Sequence, residues 1–336
     1  KNLFLAMDQP QDDIVCRLAT TLRANTSLLS LWMLIPFTET SASALADALA
    51  ENEVLEKLSL SGSSFDKPED DEEEGERGKS DASLDTADFS LFNPVETATV
   101  LCGGLKENTS LKIIDISCCY LNDDELSLLI YSLVGHPSLQ SLDISRNSAR
   151  TQTMYALADV VSHDSTPLSI LDLREQTDEV PLDITPFSNG MRENATIETL
   201  KLSNNQLKDD QVIRLVTSLQ GNDVIQELDL QYNLITEIGL NYLTEHLDSM
   251  KSLAVLLLGG NAFGAGGHQI LENLQDDDKS VCTMDEKGNS KKNSKQNNKK
   301  LASKGNVFSS GFSGLSGLMG GSGSSKGLKK VQEESS

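Results

Sequence analysis

A carboxylate recurs between two aliphatic residues in "IDISC" at 114–118, "LDISR" at 142–146, "LDLRE" at 171–175 and "LDLQY" at 228–232. Carboxylates held close together can share a proton as general acid and base, or gather a hard cation. The four histidines, His136, His163, His246 and His268, could in principle serve a nucleophile, but none stands at a recognisable spacing from a serine or cysteine and an acid. "GGNAFGAGG" at 259–267 is glycine-rich, yet it lacks the lysine and the Ser/Thr of a phosphate-binding loop. Regular strands rarely converge enough oxygens for a metal without help from loop carbonyls. The expectation is a non-catalytic chain with no cofactor and no metal.

The acids are set by a repeat. Leu228 and Leu230 alternate around Asp229 as in a half-buried strand, so the acid points away from the core. Frames of the form Leu-x-x-Leu-x-Leu open at Leu28, Leu55, Leu111, Leu139, Leu168, Ile197, Ile225 and Leu253, a period of about 28 residues broken once between Leu55 and Leu111. An earlier frame would place Leu3 and Leu5 inward, so the sequence is expected to open inside a repeat. A further frame opening at Val281, with Met284 inward and Glu286 where a leucine belongs, is expected to act as a polar terminal cap.

At the ninth position of the frames stand Asn147, Asn205, Asn233 and Asn261, with Ser63, Cys119 and Gln176 as substitutes. A chain that turns here would strand its amides, and an inward amide side chain offers donors and an acceptor to satisfy them. Helix-period stretches follow the turns: Val212, Leu215, Val216 and Leu219 make one apolar face. No single strand–turn–helix unit can bury both its elements, but stacked neighbours can, at roughly 1.5–3 kcal/mol per buried Leu or Ile.

"LDLQYNLITEIGLNYLTEHL" and "LKLSNNQLKDDQVIRLVTSL" resemble the leucine-rich repeat of the ribonuclease-inhibitor subtype, shared by ribonuclease inhibitor, the Ran GTPase-activating protein and the repeat domains of NOD-like receptors. The resemblance implies an α/β leucine-rich-repeat solenoid, a horseshoe with a parallel β-sheet on the concave face and helices on the convex face. It covers about residues 1–65 and 90–275, and it implies little about function because this fold hosts unrelated tasks.

The chain has 51 acidic and 28 basic residues, a net charge of −23. Residues 66–89 are strongly acidic and lack apolar periodicity, so they read as a disordered insertion. Residues 287–336 are rich in Lys, Gly, Ser and Asn and read as a disordered tail. Repeats are thus expected at 1–65 and 90–286. The two segments nearly cancel in charge, so the excess acidity falls on the solenoid and argues against direct nucleic-acid binding by it. Five scattered cysteines and the lack of a leader or a long apolar run suggest a reducing, intracellular home, the cytoplasm with the nucleus possible, and no membrane span.

The residues between the two inward positions form a row: Phe4, Trp32, Ser59, Asp115, Asp143, Asp172, Lys201, Asp229 and Leu257. Adjacent strands lie about 4.8 Å apart. Neighbouring carboxylates then repel by ~1 kcal/mol in water and more when desolvated. The row is therefore expected to lie open to water or to meet a cationic partner, with Arg146, Arg174 and Lys201 able to neutralise it from within. Phe4, Trp32, Asp115, Asp143, Asp172, Arg174, Lys201, Glu227, Asp229 and Tyr232 are the candidate partner-binding residues. The partner they suggest is a protein with a basic surface and an apolar anchor. An interaction scaffold is the leading expectation. The resemblance leaves two others: a regulator of a small GTPase, and the repeat segment of a NOD-like sensor.

Overall fold

The computed structural model describes residues 1–63, 94–176, 181–276 and 281–282. All of them lie in one compact unit spanning 1–291. The acidic stretch 66–89, the tail 287–336 and the cap residues Met284 and Glu286 fall outside the described residues.

Strands and helices alternate along the chain: β1 (Asn2–Ala6), α1 (Asp12–Arg23), β2 (Ser30–Leu34), α2 (Glu39–Glu51), β3 (Lys57–Ser59), α3 (Pro94–Glu107), β4 (Ile113–Asp115), α4 (Asp123–Tyr131) and β5 (Ser141–Asp143). The order continues with α5 (Thr151–Ser162), β6 (Ile170–Asp172), α6 (Thr185–Gly190), β7 (Thr199–Lys201), α7 (Asp209–Ser218), β8 (Glu227–Asp229), α8 (Glu237–His246), β9 (Val255–Leu257), α9 (Gly264–Asp276) and β10 (Val281–Cys282). The strands form one ten-stranded parallel sheet in sequence order among the described residues. Leu31, Leu58, Ile114, Leu142, Leu171, Leu200, Leu228 and Leu256 pair in register and are all buried. This is a leucine-rich-repeat solenoid, with the helices packed behind the strands.

β3 pairs directly with β4, Leu58 beside Ile114, although residues 60–112 separate them in sequence. The helices that precede β3 and β4 pack closely. A Cβ at Gly104 of α3 would lie 2.2 Å from the carbonyl oxygen of Ala46 in α2, so only glycine permits this approach. The final strand departs from the expected frame. A frame opening at Val281 would bring Met284 beside Leu256, but Val281 itself is the partner of Leu256. The last unit is three residues shorter than the 28-residue period projects.

The turn after each strand is built the same way. At the eighth frame position the backbone is left-handed, at Gly62 and Gly260 with φ of 76° and 75°, and at Cys118, Arg146, Glu175, Asn204 and Tyr232 with φ of 51–57°. Side-chain-bearing residues pay ~1 kcal/mol or more for this conformation. It persists because the amide here donates to the next repeat, as from Cys118 to Ser145 O at 2.9 Å and from Asn204 to Gln231 O at 2.9 Å. The same reversal aims the ninth side chain inward. Asn233 Oδ1 then accepts from the amides of Asn205 and Leu207, and its Nδ2 donates to the carbonyls of Leu202, Leu230 and Gln231. Asn147, Gln176, Asn205 and Asn261 bond similarly, and Ser63 and Cys119 stand in with shorter reach.

A second ladder runs along the turns that lead from helix to strand. Asn25, Asn52, Asn108, Asn194 and Asn222 each accept from the two amides that open the following frame, such as Val54 and Leu55 onto Asn52. From Asn52 on, each of these also donates to a carbonyl of the repeat before it, as Asn108 Nδ2 does to Leu49 O at 2.7 Å. Its sequence signal is an asparagine three residues before the frame.

Two tests follow from this construction. Asn233→Ala strands the buried amides of Asn205 and Leu207, while the three carbonyls keep other donors. It should lower the unfolding free energy by about 2–4 kcal/mol, read from urea denaturation. Deleting residues 66–88 should leave one cooperative melting transition, because β3 and β4 already pair in register; splitting of that transition would contradict the direct pairing.

Candidate functional site

The strand face carries the row of side chains at the fifth frame position. Phe4, Trp32, Ser59, Asp115, Asp143, Asp172, Lys201, Asp229 and Leu257 are consecutive in-register partners across β1 to β9. The parallel pairing therefore brings together the row read from the sequence. It does not leave that row open. Asp115, Asp172 and Asp229 are 1%, 3% and 6% exposed, contrary to the expectation of a solvated acidic floor.

The reason lies two residues further on each strand, where side chains share the same face. Asp115 accepts from the Ser117 hydroxyl at 2.7 Å and from its amide, while its other oxygen takes the Ser59 hydroxyl at 2.8 Å. Asp143 Oδ1 takes the Ser145 amide and hydroxyl at 2.9 and 2.7 Å. Asp172 is gripped by the Arg174 guanidinium at 2.7–3.0 Å, with Lys201 Nζ at 3.4 Å. Asp229 accepts from the Gln231 amide and from the Ser203 side chain. Each carboxylate has donors from its own or a neighbouring strand, so burial is tolerated. "DIS" at 115–117 and 143–145 carried this signal in the sequence.

The row is not electrically uniform. Asp143 is half-buried between Asp115 and Asp172, and only one of its oxygens has a hydrogen-bond partner among the described residues. Burial, and then the like charges of Asp172 and Asp115, push its carboxyl up to about 7. Burial also raises Asp229, against the hydrogen bonds from Gln231 and Ser203. The hydrogen bond to Asp172 holds the Arg174 guanidinium above its ordinary value. On the rim, Arg146 pairs with Glu175 at 3.0 Å. Both bear the left-handed backbone, as does Tyr232, whose exposed ring lies over Gly260. Glu227 is half-buried one row away on β8.

The amino-terminal end of the face is apolar. Phe4 is 54% exposed and pairs in register with half-buried Trp32. Lys57 Nζ sits 5.1 Å from the Trp32 ring centroid, a cation–π contact that the sequence reading missed. Burial lowers the Lys57 ammonium, opposed by the charge of Asp115. Among the described residues, no cluster of His, Cys, Asp or Glu is placed to hold a metal ion, and no helix is long and apolar enough to cross a membrane.

The raised Asp143 has a pH signature. Its folded pKa lies above its unfolded value, so its contribution to stability is present at low pH and is lost as pH rises through about 7. Asp143→Asn should therefore melt higher than the parent at pH 8, with the difference vanishing near pH 4. The parent alone should show the slope, at most about 1.4 kcal/mol per pH unit.

No protein-family model matches the sequence. The chain is 27% identical over 179 residues to the human NACHT, LRR and PYD domains-containing protein 13, a match covering 51% of this chain and 16% of that protein. It is 30% identical over 161 residues to human NACHT, LRR and PYD domains-containing protein 14, covering 47% and 14%. A mouse relative, NACHT, LRR and PYD domains-containing protein 4C, is 26% identical over 179 residues, covering 51% and 18%. The chain thus spans less than a fifth of the length of these relatives. Among solved structures, a Bacteroides fragilis protein aligns at 13% identity and TM-score 0.47 over 80% of this chain and 71% of its own. An internalin of Listeria monocytogenes aligns at 15% and 0.38, over 73% and 65%. The recurring strand–turn–helix unit, its in-register leucines, its amide ladders and the likeness to LRR-containing proteins identify the chain as a leucine-rich repeat protein.

Proposed function

We propose that this chain is a non-catalytic interaction scaffold that receives a protein partner on the strand face of its repeats. The observation that carries this reading is the aromatic pair at the amino-terminal end of that face, half-exposed Phe4 beside Trp32, where a soluble surface would ordinarily be polar. An apolar side chain of the partner packs against these rings. Its basic groups face Asp143 and Glu227, since the other acids of the row are spoken for by Ser117, Arg174, Lys201 and Gln231. Recognition therefore depends on the aromatic end more than on a continuous acidic stripe. The likeness to NACHT- and LRR-containing proteins favours a second reading, in which the chain serves as the repeat segment of such a sensor.

Affinity capture from native extract distinguishes these readings. A Phe4→Ser, Trp32→Ala variant, shown to melt like the parent, should lose a protein that the parent retains, and Asp143→Lys should weaken that same capture. Retention of every captured protein by both variants would move recognition off the strand face. A captured protein carrying a NACHT domain would support the sensor reading, and a small GTPase would revive the regulator expected from the repeat subtype.

A further inference from the structure

The ladder of helix-to-strand turns changes chemistry in its middle. Asparagine occupies the rung at residues 52 and 108 before the change and at 194 and 222 after it. Between them His136 takes the rung three residues before Leu139, while the rung position before Leu168 is Ser165, with His163 two residues earlier. The His136 imidazole imitates half of an asparagine, its Nδ1 accepting from the Ser138 amide at 3.3 Å, and the nearby His163 accepts at Nδ1 from the Ser165 amide at 3.3 Å. Neither ring reproduces the other half, the donation to a carbonyl of the preceding repeat that Asn52, Asn108, Asn194 and Asn222 make. His136 is 4% exposed, and its Nε2 is buried without a hydrogen-bond partner among the described residues. The ring itself therefore contributes less to the stack than an asparagine rung does, and the link to the preceding repeat passes to the Ser138 hydroxyl, which donates to Thr109 O at 2.7 Å.

We propose that the His136 rung forms an acid-sensitive seam, so that acidification loosens the turn between α4 and β5 ahead of the rest of the solenoid. A neutral His136 with its proton on Nε2 can accept at Nδ1 from Ser138. Protonation places a second hydrogen on the ring, which abolishes that acceptor and leaves a cation in a buried turn. No carboxylate is bonded to the ring to offset the charge. The titratable groups on the turns packed against it are exposed Lys106 and Glu107 and the Glu56-paired Lys112 before it, and exposed His163 and Asp164 after it. The His163 ring also lies against Gly135, 3.0 Å from where a Cβ would stand, so both imidazoles meet at one turn. Burial correspondingly lowers His136 from its ordinary value. The unfolded chain then takes up the proton first, and stability present above about pH 6.5 is lost as pH falls below it. Asp143, on the strand that follows, acts with the opposite sign. A local measurement is needed to separate the two.

Native-state hydrogen exchange of the full chain at pH 7.5 and 5.5, corrected for intrinsic exchange, reads the seam directly. Amides of residues 133–141 should lose protection severalfold at the lower pH relative to those following Asn52 and Asn222. His136→Asn, which restores the repeating rung, should abolish this local loss. A uniform change across all turns, or a His136→Asn variant indistinguishable from the parent, would overturn the proposal. Should that variant fail to fold, NMR titration of the histidine rings in the parent decides: titration of His136 below 6.5 supports the seam, and titration at or above it rejects the idea.

Discussion

Everything in this solenoid depends on satisfying the backbone of a turn that is buried inside a stack. The chain must reverse after each strand, and it does so through a left-handed residue that costs energy wherever a side chain is present. In a surface loop, water would satisfy the freed amides and carbonyls. Here the ninth-position side chain does so instead. Asn233 serves five backbone groups drawn from two repeats, which makes one unit's turn unstable without its neighbour's amide. The coupling between repeats is thus polar as well as apolar, and it lends direction to the stack.

The same logic explains the strand face. A row of carboxylates in register is repulsive if left to itself. Placing a serine, arginine or glutamine two residues later on the same strand turns that row into short local hydrogen bonds and allows the acids to be covered. Asp172 is fully engaged by Arg174 and Lys201, whereas Asp143, whose +2 partner is only a serine, retains an oxygen to offer. The face is therefore a largely neutralised floor with an aromatic end, and its specificity resides in the few groups that remain unsatisfied.

The groups that answer to pH fall together around β5. The repeat of β5 carries Asp143 on its strand and follows the His136 turn. One group favours acid and the other opposes it, so this repeat answers to pH from both its turn and its strand. In a quasi-one-dimensional fold each repeat contacts only its neighbours, and a change there divides the solenoid into two arms.

The sequence by itself determined the repeat, its frames and the direction in which each side chain faces, because an alternating strand admits one inward set and the leucines mark it. It also determined the inward rung of Asn147, Asn205, Asn233 and Asn261, since their chemistry and spacing suit a buried turn and little else. Only the tertiary structure decided how exposed the Asp row is. That depends on contacts between strands, such as Ser59 to Asp115 and Lys201 to Asp172, whose residues lie a full repeat or more apart in sequence. It likewise decided that Val281 and not Met284 meets Leu256, because register at the end of a stack is set by pairing with the previous strand once the periodic pattern has faded. The Lys57–Trp32 contact belongs to the same class: each residue is unremarkable in its own frame, and only adjacent strands in register place the ammonium over the ring.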